Sequence, residues 1–179
     1  MPPDTAYTLP LLFRPLAMID SMAELTDMLH RAFKRLGSMG LNCTCVDQTL
    51  QTTLARIAQG ECFVALYGKR IVGTITLYRP DANATAEWYR SDDVASIHQL
   101  AVDPDFQGWG IGQAMLQLAE HWAWRRGYRQ IALDTAQPAG HLLSFYGKQG
   151  YQVVESIMLP GRNYRSVVMN KTLVCTGLQ

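Results

Sequence analysis

Apolar positions along the chain follow two rhythms, one of helical period and one alternating, and the order in which they come predicts the architecture. "LLFRPLAMID" opens as a strand closed by Pro15, after which Asp20 or Ser21 can cap a helix whose apolar face runs Met22, Leu25, Leu29, Phe33 and Leu36. Gly37 and Gly40 end it, and a second helix over Asp47 to Gln59 sets Leu50, Leu54 and Ile57 on one side before stopping at Gly60. "CFVALYGKRIVGTITLYR" is two β-branched and aromatic runs joined by Gly68-Lys69-Arg70, which predicts a hairpin. Pro80 to Ala95 carries neither rhythm and predicts a long loop. "SIHQLAV" is a strand stopped by Asp103-Pro104, and Gly110 to Arg126 is an amphipathic helix through Ile111, Met115, Leu118 and Trp122. "RQIALDT" predicts a strand, "HLLSFYGKQG" a short helix ended by Gly150, and "YQVVESIML" and "NYRSVVMNKTL" two last strands. The order βααβββαβαββ predicts an α/β (α+β) fold, a single mixed sheet of about seven strands flanked by about four helices.

Composition narrows the function. The 179 residues, with no repeat or linker, suit one domain over 1–179. Lysine plus arginine come to 16 against 15 acids, and a net charge of +1 gives no basic stripe for nucleic acid, so a small partner is expected. Asp4 precedes any basic residue, and Pro10 and Arg14 break the first apolar run. That start predicts neither a signal peptide nor a membrane span, and a cytoplasmic protein follows. The four cysteines include no C-x-x-C pair, and neither Cys43-Thr44-Cys45 nor His121 has metal-ligand company, so no metal is expected.

"FQGWGIGQAM" sets Gly108, Gly110 and Gly112 between a strand and a helix. Gln113 stands where a dinucleotide fingerprint needs its last glycine, and no Gly-Lys-Ser/Thr makes a phosphate loop. A helix opening on such a turn exposes its first N–H groups and a partial positive charge, and glycines let an anion approach. The other reading is that the glycines only permit a sharp turn and close helix packing.

The flanks decide between them. Leu100-Ala101-Val102 followed by Gln107-Gly108-Trp109-Gly110-Ile111-Gly112 resembles the signature segment of the GNAT superfamily of N-acetyltransferases. "LLSFYGKQGYQVV", with Tyr146, Gly150 and Tyr151, resembles that family's second motif. The resemblance is strong from about Ser96 to Val154 and architectural over the amino-terminal third. It implies a GNAT-type fold that binds acetyl-CoA: Leu100, Ala101 and Val102 would lie along the pantetheine arm on a strand splayed from its neighbour, and Gln107, Gly108, Trp109, Gly110, Ile111 and Gly112 would hold the diphosphate. Many members carry Arg-Gly-Lys where this chain has Gln107-Gly108-Trp109, which shifts the expected grip toward N–H donors and Trp109 packing. The family's asparagine seven residues before the tyrosine is replaced by Ala139, leaving Gln137 as the candidate substitute.

The implied reaction needs a base and an acid. An amine with pKa near ~10.4 is protonated at neutral pH and must lose a proton before it attacks. His98, two residues before Leu100 and on the same strand face by alternation, is the candidate base; the other reading is a histidine packed beneath the sheet. Tyr146, at the family's tyrosine position, is the candidate acid for the leaving thiolate, or else a core aromatic. A backbone N–H near Leu100 is the candidate oxyanion donor. No cysteine lies in either motif, which favours direct attack in a ternary complex. The acceptor, a small amine or a peptide amine, is expected among Pro80–Ala95, Met39–Asp47 and Pro160–Tyr164. Glu87, Asp92 and Asp93 there would suit a cationic amine or would merely solvate the loop. A longer acyl donor, a CoA-binding sensor or interaction module without turnover, and an unrelated phosphate binder are the competing readings. Oligomeric state stays open, homodimers being common in such folds.

Overall fold

Residues 9–174 are described by the structure, a computed structural model. Strands β1 (Leu11–Pro15), β2 (Glu61–Tyr67), β3 (Arg70–Tyr78) and β4 (Val94–Val102) pair antiparallel in sequence order, with the tight turn of the hairpin at Gly68-Lys69. β4 then pairs in parallel with β5 (Gln130–Ala136), and β7 (Ser166–Thr172) and β6 (Gln152–Ile157) complete one sheet of order β1-β2-β3-β4-β5-β7-β6. The helices α1 (Met22–Ser38), α2 (Leu50–Ile57), α3 (Ile111–Arg125) and α4 (Gly140–Lys148) fall where the periodicity puts them, so the order βααβββαβαββ holds.

Local chemistry explains where these elements begin. Ser21 Oγ accepts from Glu24 N at 3.2 Å and starts α1, while Asp20 instead pairs with Arg14 at 2.7 Å. Helix α2 begins later than Asp47 because Thr49 is its cap, accepting from Thr52 N at 3.1 Å; a 3-10 turn, Thr44–Val46, precedes it. The long loop contains a second 3-10 turn, Glu87–Arg90, that buries Tyr89 against β4 and β5. The Glu155 carboxylate on β6 holds that turn, accepting from Glu87 N and Trp88 N at 3.2 Å each.

Helices α3 and α4 cover one face of the sheet, where Met115, Leu116 and Ala119 meet Ile75, Ile97 and Leu133. Helix α1 covers the opposite face over β2 to β4, where Leu25, Met28 and Leu29 meet Val64, Ile71 and Ala101. Truncating fully buried residues of this kind to alanine costs about 2–5 kcal/mol each. Between the two halves of the sheet the ladder is short. β4 and β5 pair only from Val94↔Gln130 to Ile97↔Leu133, although β4 runs on to Val102 and β5 to Ala136.

Candidate active site

The two central strands part where β4 gains a residue. Along β3 the register passes from Thr74 to Thr76 while along β4 it passes from Ala101 to His98, leaving Gln99 and Leu100 without partners on β3. This is a bulge, and Gln99 takes a φ of 51°, a left-handed conformation that costs a non-glycine residue about 1–2 kcal/mol. A buried polar network offsets the strain: Gln48 Nε2 donates to Gln99 Oε1 at 2.8 Å and to Thr53 Oγ1 at 2.7 Å.

The extra residue reverses the alternation. His98 lies on the α1 face with Ala101, whereas Leu100 and Val102 pack toward α3, so His98 and Leu100 are on opposite faces rather than the same one. Period-two counting fails here because it assumes an unbroken ladder.

A cleft of about 940 Å³ opens at the parting. Leu100, Ala101 and Val102 line one side and Leu133, Asp134 and Thr135 the other, with Gln107, Gly108, Gly110, Ile111 and Gly112 at one end. Gly108 and Gly110 have φ of 83° and 80°, and Gly110 caps α3. The first helical bond runs from Ala114 N to Gly110 O at 3.0 Å. The N–H groups from Gly108 to Gln113 make no hydrogen bond among the described residues, so a row of donors is left for an anion. Gly112 has a different task, since a Cβ there would stand 3.2 Å from Phe145 Cζ of α4. The turn is anchored by Asp103, fully buried, which pairs with Arg31 at 2.7 Å and Arg70 at 3.0 Å and accepts from Asp105 N at 3.1 Å.

Tyr146 of α4 lines the cleft, and its hydroxyl makes no hydrogen bond to a described residue. Burial, with the Asp134 and Cys43 charges adding to it, raises its pKa and keeps it protonated. His98 stacks on Tyr78 with ring centroids 3.9 Å apart, and its Nε2 lies 2.8 Å from Ser96 Oγ. Burial, and then the Arg56 charge, lower its pKa to about 3, so the ring is neutral. Asp134 is the one carboxylate lining the cleft among the described residues. Burial raises its pKa against the opposing hydrogen bond from Tyr89, whose hydroxyl donates to Oδ1 at 2.8 Å.

The same cleft holds groups that motif reading passed over. Cys43 and Cys45 line it although neither motif contains a cysteine. Hydrogen bonding to Cys45, and then the Arg162 charge, lower the Cys43 pKa, while Cys45 is raised by that same pairing and by burial. Arg56 and Arg162 line it as well. Asp134 was legible only as a lone acid in an apolar strand, and Gln99 carried no sequence signal at all.

Two of the predicted side chains do not line the cleft. Trp109 turns outward, half exposed, onto Phe106 and Tyr67 at centroid distances of 5.1 and 5.8 Å, and does not line the cleft. Gln137 is exposed, its N–H bound to Arg165 O at 2.9 Å, and it too stays outside. Of the three acceptor segments, Cys43–Cys45 and the turn with Arg162 and Tyr164 reach the cleft. Pro80–Ala95 does not, because Tyr89 pins it over the sheet. Its acids therefore do not face the cleft, whose charged lining is mostly basic.

Among the described residues no group of three or more His, Cys, Asp or Glu is arranged to hold a metal. No helix among them is long and apolar enough to cross a membrane.

Residues 24–151 match the Acetyltransferase (GNAT) family. The chain is 28% identical over 160 residues to the S-(2-succino)cysteine N-acetyltransferase of Bacillus subtilis (strain 168), covering 88% of this chain and 94% of that one. Its fold is similar to that of a GNAT family acetyltransferase from Elizabethkingia anophelis with acetyl-CoA bound, with a TM-score of 0.65 at 19% identity and coverage of 91% and 98%. It is also similar to the PaiA N-acetyltransferase from Thermoplasma acidophilum in complex with coenzyme A, with a TM-score of 0.70 at 18% identity and coverage of 92% and 99%.

Proposed function

The chain belongs to the GNAT acetyltransferase family, and from that premise we propose that it moves the acetyl group of acetyl-CoA to a primary amine of a small molecule or peptide by direct attack in a ternary complex. The observation that carries this reading is the cleft itself: strands that stop pairing after Ile97 and Leu133, a row of free N–H donors at one end, and a Tyr146 hydroxyl without a partner along its wall. In this reading the diphosphate sits on the N–H groups from Gly108 to Gln113, and the pantetheine arm runs along Leu100 to Val102.

The attacking nitrogen forms its bond to the thioester carbonyl carbon as the carbon–sulfur bond breaks. The Leu100 N–H, at the bulge where the register with β3 shifts, is the proposed donor to the oxyanion. Tyr146 donates a hydrogen bond to the departing sulfur. Relative to the ammonium form the nitrogen loses two protons, and the first goes to Asp134 and on to water. The second, released after attack, replaces the proton that Tyr146 gives to sulfur, since burial disfavours a lasting tyrosinate; the products are an amide, free CoA thiol and one proton in solution.

The base is divided between two groups. A neutral imidazole that titrates at about 3 is a poor store for a proton, so His98 serves as a hydrogen-bond acceptor that orients the amine. Asp134, with its raised pKa, is the stronger acceptor for the proton itself. The relative that acetylates S-(2-succino)cysteine makes that compound the first acceptor to try.

Thiol release from acetyl-CoA across a panel of amines tests the reading, with acetyl-CoA binding followed separately by thermal shift. Tyr146→Phe and Asp134→Asn are each expected to keep acetyl-CoA stabilisation and to lose roughly 10²–10⁴ in kcat. Stabilisation by acetyl-CoA with no thiol released by any amine overturns it in favour of a binding module. A burst of CoA without amine, abolished by Cys43→Ser, would replace direct attack by an acetyl-cysteine intermediate.

A further inference from the structure

Three guanidinium groups that line the cleft have no carboxylate partner among the described residues, Arg35, Arg56 and Arg162, and the last two are held in place by neutral acceptors. Arg56, in the last turn of α2, donates from Nη1 to Gln48 Oε1 at 2.9 Å and to Cys45 Sγ at 3.2 Å. Arg162, in the turn between β6 and β7, donates from Nη1 to Asn42 O at 2.8 Å and from Nη2 to Thr44 Oγ1. Among the described residues neither has a carboxylate within 4.0 Å, whereas Arg14, Arg31, Arg70, Arg126 and Lys171 all do.

Both side chains are half-buried and pinned by neutral acceptors, so neither is free to swing to water. Arg56 Nε and Nη2 and Arg162 Nε make no hydrogen bond among the described residues, and both residues line the cleft. The two lie to either side of the Cys43–Cys45 pair, on the α1 face of the sheet, away from the donor row at the start of α3. A planar, partly buried guanidinium held by neutral acceptors still has donors to offer an anion, and a carboxylate meets them in a two-point fork. A second cationic group on the acceptor would meet repulsion there, because the cleft's one carboxylate, Asp134, is already tied to Tyr89.

We propose that the acceptor amine carries a carboxylate, that Arg56 binds it directly with Arg162 reinforcing the field, and that the substrate class is therefore amino-acid-like rather than polyamine or lysine side chain. This rests on the reading that the cleft acetylates an amine. It differs from the expectation drawn from Glu87, Asp92 and Asp93, whose loop lies outside the cleft.

Matched pairs test it, comparing kcat/KM by thiol release for L-amino acids against their carboxamides, with cadaverine as a dication. The acid is expected to exceed its carboxamide by at least about tenfold, with the ratio falling to about one in Arg56→Gln and by several-fold in Arg162→Gln, a turn residue whose loss leaves α2 intact. Equal use of acid and carboxamide, a best rate with cadaverine, or a ratio unmoved in both variants overturns it. A turnover-free measurement keeps the two readings apart. With saturating CoA, about 10 mM succinate is expected to raise the Tm of the unmodified chain by about 3 °C and that of Arg56→Gln not at all. The same shift in both, or in neither, counts against the site. Succinate stabilisation that depends on Arg56, with no amine acetylated, leaves the carboxylate site standing and removes the transfer reading.

Discussion

An imidazole buried beside an arginine and without a carboxylate stays neutral, and that has a thermodynamic signature. His98 titrates at about 3 in the folded chain against 6.5 for the free side chain, because burial and the Arg56 charge both disfavour its cation. Between those two values the unfolded chain holds a proton that the folded chain does not, so stability falls as pH drops from about 6.5 toward 3. The slope is about 1.4 kcal/mol per pH unit. Denaturant unfolding at several pH values in that window is expected to lose stability more steeply, by about this slope, in the unmodified chain than in His98→Gln, the carboxylates contributing alike to both; parallel curves for the two would contradict a buried neutral ring. The Cys43 thiol carries a second signature. Cys45 and Arg162 lower its pKa, so iodoacetamide at neutral pH is expected to alkylate Cys43 ahead of Cys45 and Cys62, whose pKa values are raised. Acetyl-CoA should protect it, and equal labelling of all three by mass spectrometry would contradict the assignment.

At the scale of elements, the glycines of the turn are needed for two reasons, a left-handed backbone at Gly108 and Gly110 and close packing at Gly112, and substitution separates them. Gly110 caps α3 at a φ of 80° with open space where a Cβ would go, so Gly110→Ala strains the backbone alone, by about 1–2 kcal/mol, and skews the N–H row. Gly112→Ala instead pushes on Phe145, and Phe145→Leu is expected to relieve it. Acetyl-CoA titration should show roughly tenfold weaker binding for Gly110→Ala, unrelieved by Phe145→Leu. Rescue of both variants by that change would mean that packing governs the whole turn. The sequence announced this turn, as it announced every strand and helix, because periodicity and glycine spacing are local signals. The bulge at Gln99 was not legible: one inserted residue leaves the strand pattern intact, and only the register with β3 exposes it. Trp109 misled for a similar reason, since a motif position fixes the backbone while Phe106 and Tyr67 decide where the ring goes.

Across the whole molecule the cleft is a seam. The two halves of the sheet are joined through the ladder from Val94 to Ile97, beyond which β4 and β5 run on without pairing to each other. Its end away from the glycine turn is assembled from α2, the Cys43–Cys45 turn, β5 and the β6–β7 turn, segments far apart in the chain, which is why its basic lining had no motif to betray it. A ligand that fills the gap takes the place of the missing ladder, bonding to strand edges that otherwise face the cleft. CoA binding is therefore expected to slow amide hydrogen exchange at residues 98–102, 134–136 and 108–113, while β2, already paired on both sides by β1 and β3, changes little. Exchange read by mass spectrometry with and without saturating CoA checks this. Uniform slowing over the whole sheet would mean that CoA acts by raising global stability. Protection confined to 108–113 would mean that only the diphosphate is held and the pantetheine arm does not enter the seam.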